Sequence, residues 1–251
     1  MRVSLLGLGT VKFGRMEGLG YPVASSLPTM RALAELLAAA ADLGVNLIDT
    51  APAYGSSEER LGQLLAGRRS RWILCTKVGE TFENGRSHYD FSPEQTRRSV
   101  LRSLQRLATD HLDVVLIHSD GNDLDIIDER GTLQALAQMK QEGLIRAFGV
   151  SHKTVAGGLR AVDACDAVMT TLNAEDRAAL GVVERAHARG CGVLIKKALA
   201  SGAVARDPAR RRASLEFVAT TQGVSSIVVG TTDVIHLREN VAALEHLPDV
   251  F

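Results

Sequence analysis

The sequence predicts a single (β/α)8 barrel, and three observations lead to this fold class. Short apolar runs alternate with amphipathic helical stretches along the whole chain, eight of each. The chain has 251 residues, a normal length for one barrel of this kind. No linker divides it into halves, so we expect residues 1–251 to form one domain.

The predicted strands are mostly continuous apolar runs, as expected for parallel strands that are covered on both faces. A doubly wound open sheet is the rival arrangement, but it normally has fewer strands and a point where the strand order reverses. Eight strand–helix units therefore favour the closed barrel. The predicted strands are Val3–Leu8, Val45–Asp49, Trp72–Thr76, Leu112–His118, Ile145–Val150, Ala167–Thr170, Gly192–Lys196 and Ser226–Val229.

The helices between these strands have recognisable starts and ends. One begins with Ser92 as its N-cap and Pro93 as its first helical residue. Another begins at Pro28 or Thr29 and ends at Gly44, a residue suited to a left-handed cap. The remaining predicted helices are Glu58–Ala66, Gly131–Gln141, Lys153–Val162, Asp176–Arg189, Asp207–Thr221 and Asp233–Leu247.

Charge and composition exclude several classes of protein. The 29 basic residues balance the 29 acidic ones, so no net field attracts nucleic acid or an anionic membrane. Cys75, Cys165 and Cys191 form no CxxC pair, which argues against disulfides or a zinc site and fits a reducing compartment. No apolar run suits a signal peptide or a membrane span. We predict a cytoplasmic, metal-free protein that binds neither nucleic acid nor membranes.

Polar residues stand where the predicted strands end. In a barrel of parallel strands, the carboxyl ends form one rim, and chemistry gathers there. We therefore expect the polar residues at five strand ends to converge. These residues are Asp49, Lys77, His118, Ser151 and Lys196.

The segment NLIDTAPAYG (46–55) adds a tyrosine to this rim. A free tyrosine has a pKa of about 10 and is a poor proton donor at neutral pH. The ammonium of Lys77 would lower the pKa of Tyr54, and Asp49 would keep that ammonium charged. His118 could orient a carbonyl oxygen toward the tyrosine. The combination suits protonation of an oxygen as a carbonyl becomes an alcohol, which also needs a hydride and therefore a nicotinamide cofactor.

At these residues the chain resembles the aldo-keto reductase family. NLIDTAPAYG, ILCTKVG (73–79) and HLDVVLIHSD (111–120) are similar to its aspartate–tyrosine, lysine and histidine motifs. GLGTVKFG (7–14), GLIRAFGVS (143–151) and VVGTTDVIHLRENVAAL (228–244) extend the resemblance over nearly the whole chain. It implies a TIM barrel that reduces an aldehyde or ketone with NAD(P)H. The implied catalytic residues are Asp49, Tyr54, Lys77 and His118, with Tyr54 as the proton donor.

The resemblance also implies a cofactor site, with NADPH expected and NADH as the alternative. The family binds nicotinamide without a Rossmann fold, and Lys12 stands where the third glycine of a GxGxxG motif would be. Helix N-termini and backbone amides suit the phosphate oxygens. The implied cofactor-binding residues are Gly9, Thr10, Asp49, Ser151, His152, Lys196, Leu199, Ser201, Gly230, Thr231, His236, Glu239 and Asn240.

Several features depart from the family pattern. Met169 stands in place of a glutamine that binds the carboxamide, Lys196 in place of an aromatic that stacks on the nicotinamide, and His236 in place of an arginine that holds the 2′-phosphate. An ammonium cannot replace a ring face, so we expect a changed cofactor affinity or pose. We also expect the family's N-terminal hairpin and C-terminal tail to be missing, and therefore an open site with loose substrate choice.

Simpler interpretations and other functions stay open at this point. Ser151 and Thr231 could be helix caps, and Lys196 could be a rim lysine paired with an acid or a contact to the pyrophosphate. Lys77 or Lys196 could instead be the Schiff-base amine of a lyase or aldolase on the same barrel. A third alternative is a non-catalytic barrel that binds nicotinamide as a sensor or subunit. The oligomeric state is not defined by the sequence.

Overall fold

The structure is a computed structural model, and it describes residues 1–18 and 26–247. Eight parallel strands close into a barrel in which each strand pairs with its neighbours in sequence and the first pairs with the eighth. The predicted (β/α)8 TIM barrel is confirmed. We number the barrel strands one to eight along the chain: Leu6–Gly9, Leu47–Asp49, Ile73–Val78, Leu112–His118, Ile145–Ser151, Ala167–Thr171, Gly192–Lys196 and Ser226–Gly230.

The first two strands begin later than predicted, because side chains replace the regular pairing at their starts. The amide of Ser4 donates to Asn46 Oδ1 at 2.8 Å, and the amide of Asn46 donates to Ser4 Oγ at 3.0 Å. Regular strand structure therefore starts only at Leu6 and Leu47. The other predicted strands agree with the structure to within two residues at each end.

Several of the helices that cover the barrel begin at polar caps. Ser92 Oγ accepts a hydrogen bond from the amide of Gln95, as predicted, and Thr29 accepts one from the amide of Ala32. Gly44 has a φ of 77°, which is the predicted left-handed conformation. The α-helices are Val11–Gly14, Met30–Asp42, Ser57–Leu64, Pro93–Arg106, Asp123–Asp128, Thr132–Gln141, Val155–Ala164, Leu180–Arg189, Pro208–Ala219 and Val234–Ala242.

The helix after the sixth strand begins at Leu180 rather than at the predicted Asp176. Asn173 Oδ1 accepts hydrogen bonds from the amides of Glu175 and Asp176, at 3.0 and 2.9 Å. This Asx turn gives those amides a partner outside a helix, so the helix starts later.

The last helix ends at Ala242 rather than at the predicted Leu247, and two short helices, Val11–Gly14 and Asp123–Asp128, were missed. The two short helices have too few residues for a helical apolar period to appear.

Across residues 1–18 and 26–247, we find no helix with both the length and the apolar character needed to span a membrane.

A β-hairpin after the third strand was also missed. Its strands, Glu80–Glu83 and Arg86–Tyr89, pair antiparallel. The two residues between them, Asn84 and Gly85, have φ values of 51° and 75°. Positive φ at both central positions is typical of a type I′ turn, for which Asn-Gly is the preferred pair. The Asn84-Gly85 dipeptide could therefore have predicted this hairpin from the sequence. The hairpin places Glu80 at the rim.

Apolar side chains form two layers, one between the barrel and its helices and one inside the barrel. Alternate residues of a strand face the same side, so each strand supplies inward residues at every second position. The inner layer consists of Leu47, Cys75, Val114, Leu116, Met169 and Leu194. Two residues further along five strands, the inward position becomes polar. These positions are Asp49, Lys77, His118, Thr171 and Lys196.

We predict that Gly149→Ala destabilises the protein by about 2 kcal/mol or more, as overpacking of a core does. A Cβ at Gly149 would lie 1.8 Å from the carbonyl oxygen of Ala167 on the adjacent strand, so the barrel would have to open locally. Urea unfolding measures the change. The matched control is Gly181→Ala, where a Cβ meets nothing within 4 Å, and which should be neutral or stabilising. Equal stability of both variants would contradict the prediction.

Candidate active site

A buried ion pair joins the second and third strands at the rim. Lys77 Nζ lies 2.6 Å from Asp49 Oδ1 and donates a hydrogen bond to the backbone carbonyl of Thr50 at 2.9 Å. The two side chains are almost completely buried. Burial lowers the pKa of Lys77, but the nearby anions, Asp49 foremost, outweigh it and raise that pKa above its usual value. The ammonium therefore stays charged.

The loop that follows Asp49 turns sharply, and a glycine makes the turn feasible. Gly55 has a φ of 59°, and a Cβ there would lie 2.1 Å from the carbonyl oxygen of Gly14. The amide of Tyr54 donates to the carbonyl of Ala51 at 3.0 Å and closes the turn. As a result Tyr54 lies beside Lys77, whose Nζ is 4.8 Å from the centre of the tyrosine ring.

His118, at the end of the fourth strand, completes the group. The ring centres of Tyr54 and His118 are 6.2 Å apart, and the ring planes are at 87°. The structure therefore brings together the four side chains that the sequence nominated as catalytic.

Lys77 lowers the pKa of Tyr54, as expected, but other effects outweigh it, and the pKa is above its usual value. Although the side chain keeps some solvent contact, burial has the largest effect and raises the pKa, and the Asp49 carboxylate raises it further. Lys77 offsets only part of this, and the result is a pKa of about 12. The hydroxyl of Tyr54 is therefore protonated at neutral pH.

Glu80, a residue that the sequence did not reveal as part of the site, contacts His118 from the hairpin. Its Oε2 lies 2.6 Å from His118 Nδ1, although the geometry is not that of an aligned hydrogen bond. Its Oε1 accepts a hydrogen bond from Ser87 Oγ at 2.5 Å. Burial opposes ionisation of Glu80, but His118, Ser87 and Arg15 together lower its pKa to about 2. A carboxylate therefore faces the imidazole.

The protonation state of His118 follows from this contact. Burial lowers its pKa, as do Lys77 and Lys196, while Glu80 raises it; the balance is a pKa below the usual value. The imidazole is therefore neutral at neutral pH. Because Nδ1 faces a carboxylate, it carries the proton, and Nε2 is left as a hydrogen-bond acceptor.

The fifth and seventh strands meet at the rim through Ser151 and Lys196. Lys196 Nζ lies 2.9 Å from Ser151 Oγ and 2.8 Å from the carbonyl oxygen of His152. Ser151 is 2% exposed and pairs in register with His118 on the neighbouring strand. Among the described residues, Lys196 thus contacts neutral oxygens and not an acid, contrary to the simpler interpretation of this residue.

The ring of His152 faces the helix Val155–Ala164. Its Nδ1 lies 2.9 Å from the carbonyl oxygen of Thr154, and a Cβ on Gly158 would lie 2.6 Å from its Cε1. Burial, followed by Lys196, lowers the pKa of His152 to about 4. The side chain is therefore neutral and packed, and only its backbone reaches the rim contact described above.

The expected cofactor residues on the first strand are at the rim, but their polar groups are engaged. Thr10 Oγ1 donates to the carbonyl of Asp49 at 2.9 Å and accepts from Ser57 Oγ at 2.9 Å. Gly9 pairs with Asp49 on one side and with Gly230 on the other. A cofactor at this part of the rim would therefore meet backbone groups rather than the hydroxyl of Thr10, which already has two hydrogen-bond partners.

A buried acceptor near the end of the chain is free for a ligand. Asn240 is 3% exposed, and among the described residues its Oδ1 has no hydrogen-bond partner. An unpaired buried acceptor is costly, so it suits a ligand that brings a donor. The residue thus fits the adenosine end of a nicotinamide dinucleotide.

The other expected residues around the eighth strand differ in whether their polar groups already have hydrogen-bond or ion-pair partners. Thr231 Oγ1 exchanges hydrogen bonds with the backbone of Asp233, Glu239 forms an ion pair with Arg211 at 2.9 Å, and His236 is exposed. Gly230 is also exposed. The exposure of Gly230 and His236 is compatible with a bound dinucleotide.

The loop after the seventh strand has an unusual backbone. Lys197, Ala200 and Ser201 have φ values of 58°, 48° and 54°, and non-glycine residues seldom adopt such values. Ser201 is exposed, and Leu199 packs against the outer core. Strained backbone of this kind often lies at ligand sites, which agrees with the position expected for these two residues.

Met169 occupies the barrel interior and not a polar subsite. It is 2% exposed and packs in the inner apolar layer, below the rim. A thioether has no N–H to offer a carboxamide, so the glutamine's role is not reproduced at this position. Among residues 1–18 and 26–247, no three His, Cys, Asp or Glu side chains cluster as a metal site requires.

Comparison with known proteins defines the class of this protein. The model of the aldo/keto reductase family matches residues 5–213. A crystal structure from Pseudomonas aeruginosa, of a protein assigned to the aldo-keto reductases, has a TM-score of 0.88 and 52% identity, covering 96% of this chain and 89% of that one. L-galactose dehydrogenase of Arabidopsis thaliana is 29% identical, over 98% of this chain and 86% of its own length.

A further relative is matched over a shorter region. The uncharacterized oxidoreductase YqkF of Bacillus subtilis is 38% identical over 120 residues, which are 46% of this chain and 38% of that protein. The chain belongs to the aldo-keto reductase family, as the resemblance implied. Members of this family are oxidoreductases that use nicotinamide cofactors, so the chain is placed in that class of enzyme.

We predict that His152 makes the protein less stable in mild acid. Its pKa is about 4 in the folded state, against about 6.5 in an unfolded chain, so between these values the unfolded state binds more protons and stability falls as pH falls. Between about pH 7 and about pH 5 the loss is about 2 kcal/mol. Urea unfolding at both pH values measures it.

The variant His152→Asn should lose this part of the pH dependence, even if it is less stable at both pH values. The exposed His88 offers a matched control, since His88→Asn should keep the pH dependence of the unchanged protein. If the difference between the two pH values is the same in all three proteins, His152 is not its source.

Proposed function

We propose that this protein reduces an aldehyde or ketone to an alcohol with NAD(P)H. The observation that carries the proposal is the arrangement at the rim: a protonated tyrosine beside a buried, charged lysine, with a neutral histidine across from it. A bound nicotinamide would supply the hydride that adds to the carbonyl carbon. The protein must supply the proton for the oxygen.

Tyr54 is the proton donor in this proposal. Its raised pKa keeps the hydroxyl protonated until the carbonyl oxygen becomes an alkoxide, which is the stronger base and takes the proton. The phenolate that remains lies beside the Lys77 ammonium, which stabilises it. Asp49 keeps that ammonium charged and in place. The raised pKa thus suits a donor to an alkoxide.

His118 holds the oxygen at the alcohol stage. The sequence suggests that His118 orients a carbonyl oxygen, for which it would need a hydrogen-bond donor, but a neutral ring with its proton on Nδ1 has only an acceptor at Nε2. It is therefore suited to accept a hydrogen bond from the hydroxyl group of the alcohol. Glu80 is a positioning residue, because it acts through the tautomer of His118.

The rest of the rim supports a dinucleotide, with NADPH as the proposed cofactor and NADH as the alternative. Asn240 offers a buried acceptor, and the exposed Gly230 lies at the end of the eighth strand. Arg211 forms an ion pair with Glu239. A 2′-phosphate that bound to Arg211 would therefore have to compete with the Glu239 carboxylate. Titrations with NADPH and NADH, followed by nicotinamide fluorescence, decide the preference.

We predict that Tyr54→Phe lowers the turnover number for carbonyl reduction by at least about 100-fold, because general acid catalysis contributes that much or more. Nicotinamide binding, measured by fluorescence titration, should be nearly unchanged. The matched control is Tyr89→Phe, which removes the same hydroxyl from an exposed tyrosine of the hairpin and should keep full turnover. Wild-type turnover by Tyr54→Phe would rule out the mechanism.

We predict that Glu80→Gln lowers kcat/KM about tenfold and moves its acidic limb to lower pH. Glu80 raises the pKa of His118, so its removal lets the imidazole stay neutral in more acidic solution. The measurement is the pH profile of kcat/KM. Glu83→Gln, an exposed change on the same hairpin, is the control. A tenfold loss without a shifted limb would mean that Glu80 has only a structural role.

A further inference from the structure

The amine of Lys196 lies inside the mouth of the barrel. The residue ends the seventh strand, and its side chain crosses the sixth strand to reach Ser151 and the carbonyl of His152 on the fifth. Ser151 is the direct partner of His118 in the strand pairing. Because Nζ of Lys196 contacts the strand partner of His118, it lies at the same part of the rim as the group formed by Tyr54 and His118.

The surroundings of Lys196 differ from those of two other lysines, one at this rim and one on the surface, which have carboxylate partners. Lys77 is paired with Asp49, and Lys140 with Asp166, each at 2.6 Å. In the part of the chain that the structure describes, Lys196 has no carboxylate within ion-pair distance, and its two contacts are neutral oxygens.

The charges that face Lys196 are mostly positive. They come from its own strand end and from the third, fourth and fifth strands with their loops: Lys197, Lys77 and Lys153 are cationic, His118 and His152 are neutral, and Asp123 is the acid that opposes them. Burial lowers the pKa of Lys196 most, the three cations lower it further, and Asp123 raises it, with a result of about 7.

A lysine in such surroundings is a nucleophile. An amine reacts with carbonyl groups only in its neutral form, and burial beside other cations is a known way to populate that form near neutral pH. Lys77 does not qualify, because its ammonium is held charged by Asp49. Of the two lysines that the sequence offered for Schiff-base chemistry, the structure therefore favours Lys196.

We propose that Lys196 is a carbonyl-reactive amine that forms a reversible Schiff base with aldehydes in the mouth of the barrel. The Nζ lone pair attacks the carbonyl carbon, and a proton passes from nitrogen to oxygen to give a carbinolamine. The oxygen then leaves as water and a C=N bond forms, so that the net change is amine plus aldehyde to imine plus water. The hydroxyl of Ser151, at 2.9 Å from Nζ, is placed to hydrogen-bond the carbinolamine oxygen.

This activity is separate from hydride transfer, because it needs neither Tyr54 nor a nucleotide. A protein that failed to reduce carbonyl compounds would still form the adduct. A protein with reductase activity and an inert Lys196 would contradict only this inference.

The test is reductive trapping in the absence of nucleotide. The full chain is incubated with propanal and cyanoborohydride, which reduces an imine to a stable secondary amine, and fragment mass spectra give the modification rate at each lysine. The sequence has few sites to follow: Lys12, Lys77, Lys140, Lys153, Lys196 and Lys197. Near neutral pH we expect Lys196 to react roughly tenfold or more faster than Lys140 or Lys197.

The pH dependence separates this inference from ordinary lysine labelling. The rate at Lys196 should rise with a midpoint near pH 7, the pKa of its amine. The rate at Lys140 should still be rising at about pH 9, as for an ordinary lysine with a pKa of about 10.4. Equal rates at all lysines, or a midpoint at Lys196 in the range of an ordinary lysine, would overturn the inference.

Two variants complete the design. Lys196→Arg keeps the positive charge but has no amine, so the fast adduct at this position should disappear while the labelling of the other lysines is unchanged. Lys197→Arg is the matched control at the adjacent position, and fast labelling of Lys196 should persist in it. If Lys196→Arg does not fold, as judged by circular dichroism, the rates and midpoints in the unchanged protein and in Lys197→Arg still decide the question.

Discussion

The ion pair between Asp49 and Lys77 is the contact on which the rest of the site depends. It is almost wholly buried, so removal of either partner would leave an unpaired charge in the barrel mouth, at a cost of about 3–5 kcal/mol in comparable cases. The pair also fixes the backbone around it, because Nζ holds the carbonyl of Thr50 and the hydroxyl of Thr10 holds the carbonyl of Asp49. The sharp turn that carries Tyr54 to the ammonium starts from this fixed point.

The rim contains two lysines whose environments give them opposite properties. Lys77 has a carboxylate partner and stays charged, whereas Lys196 has neutral oxygen partners and cationic neighbours, and its amine loses its proton near neutral pH. The first can stabilise a phenolate and the second can act as a nucleophile. His118 lies between these cations and the carboxylate of Glu80, which orders its two ring nitrogens into one donor and one acceptor. One barrel mouth therefore holds two groups suited to carbonyl compounds.

Most of the fold could be predicted because its signals are local. Continuous apolar runs predict buried parallel strands, and Ser92 and Gly44 mark helix ends through short-range hydrogen bonds and backbone conformation. The misses arose where a side chain replaced a backbone partner, as at Ser4 and Asn46, or where the element was too short for a period to appear, as in Asp123–Asp128. The hairpin differs from these misses, because its Asn84-Gly85 turn predicts it from the sequence alone.

The sequence by itself determined which polar side chains stand at the ends of the strands, because alternation along a strand and the common direction of parallel strands leave them one place to meet. It did not determine their protonation. Burial raises the pKa of Tyr54 despite Lys77, and burial together with cationic neighbours lowers the pKa of Lys196 to about 7. Only the tertiary structure decided these states, because a pKa depends on burial and on charges a few ångströms away, and those charges come from residues far apart in the chain.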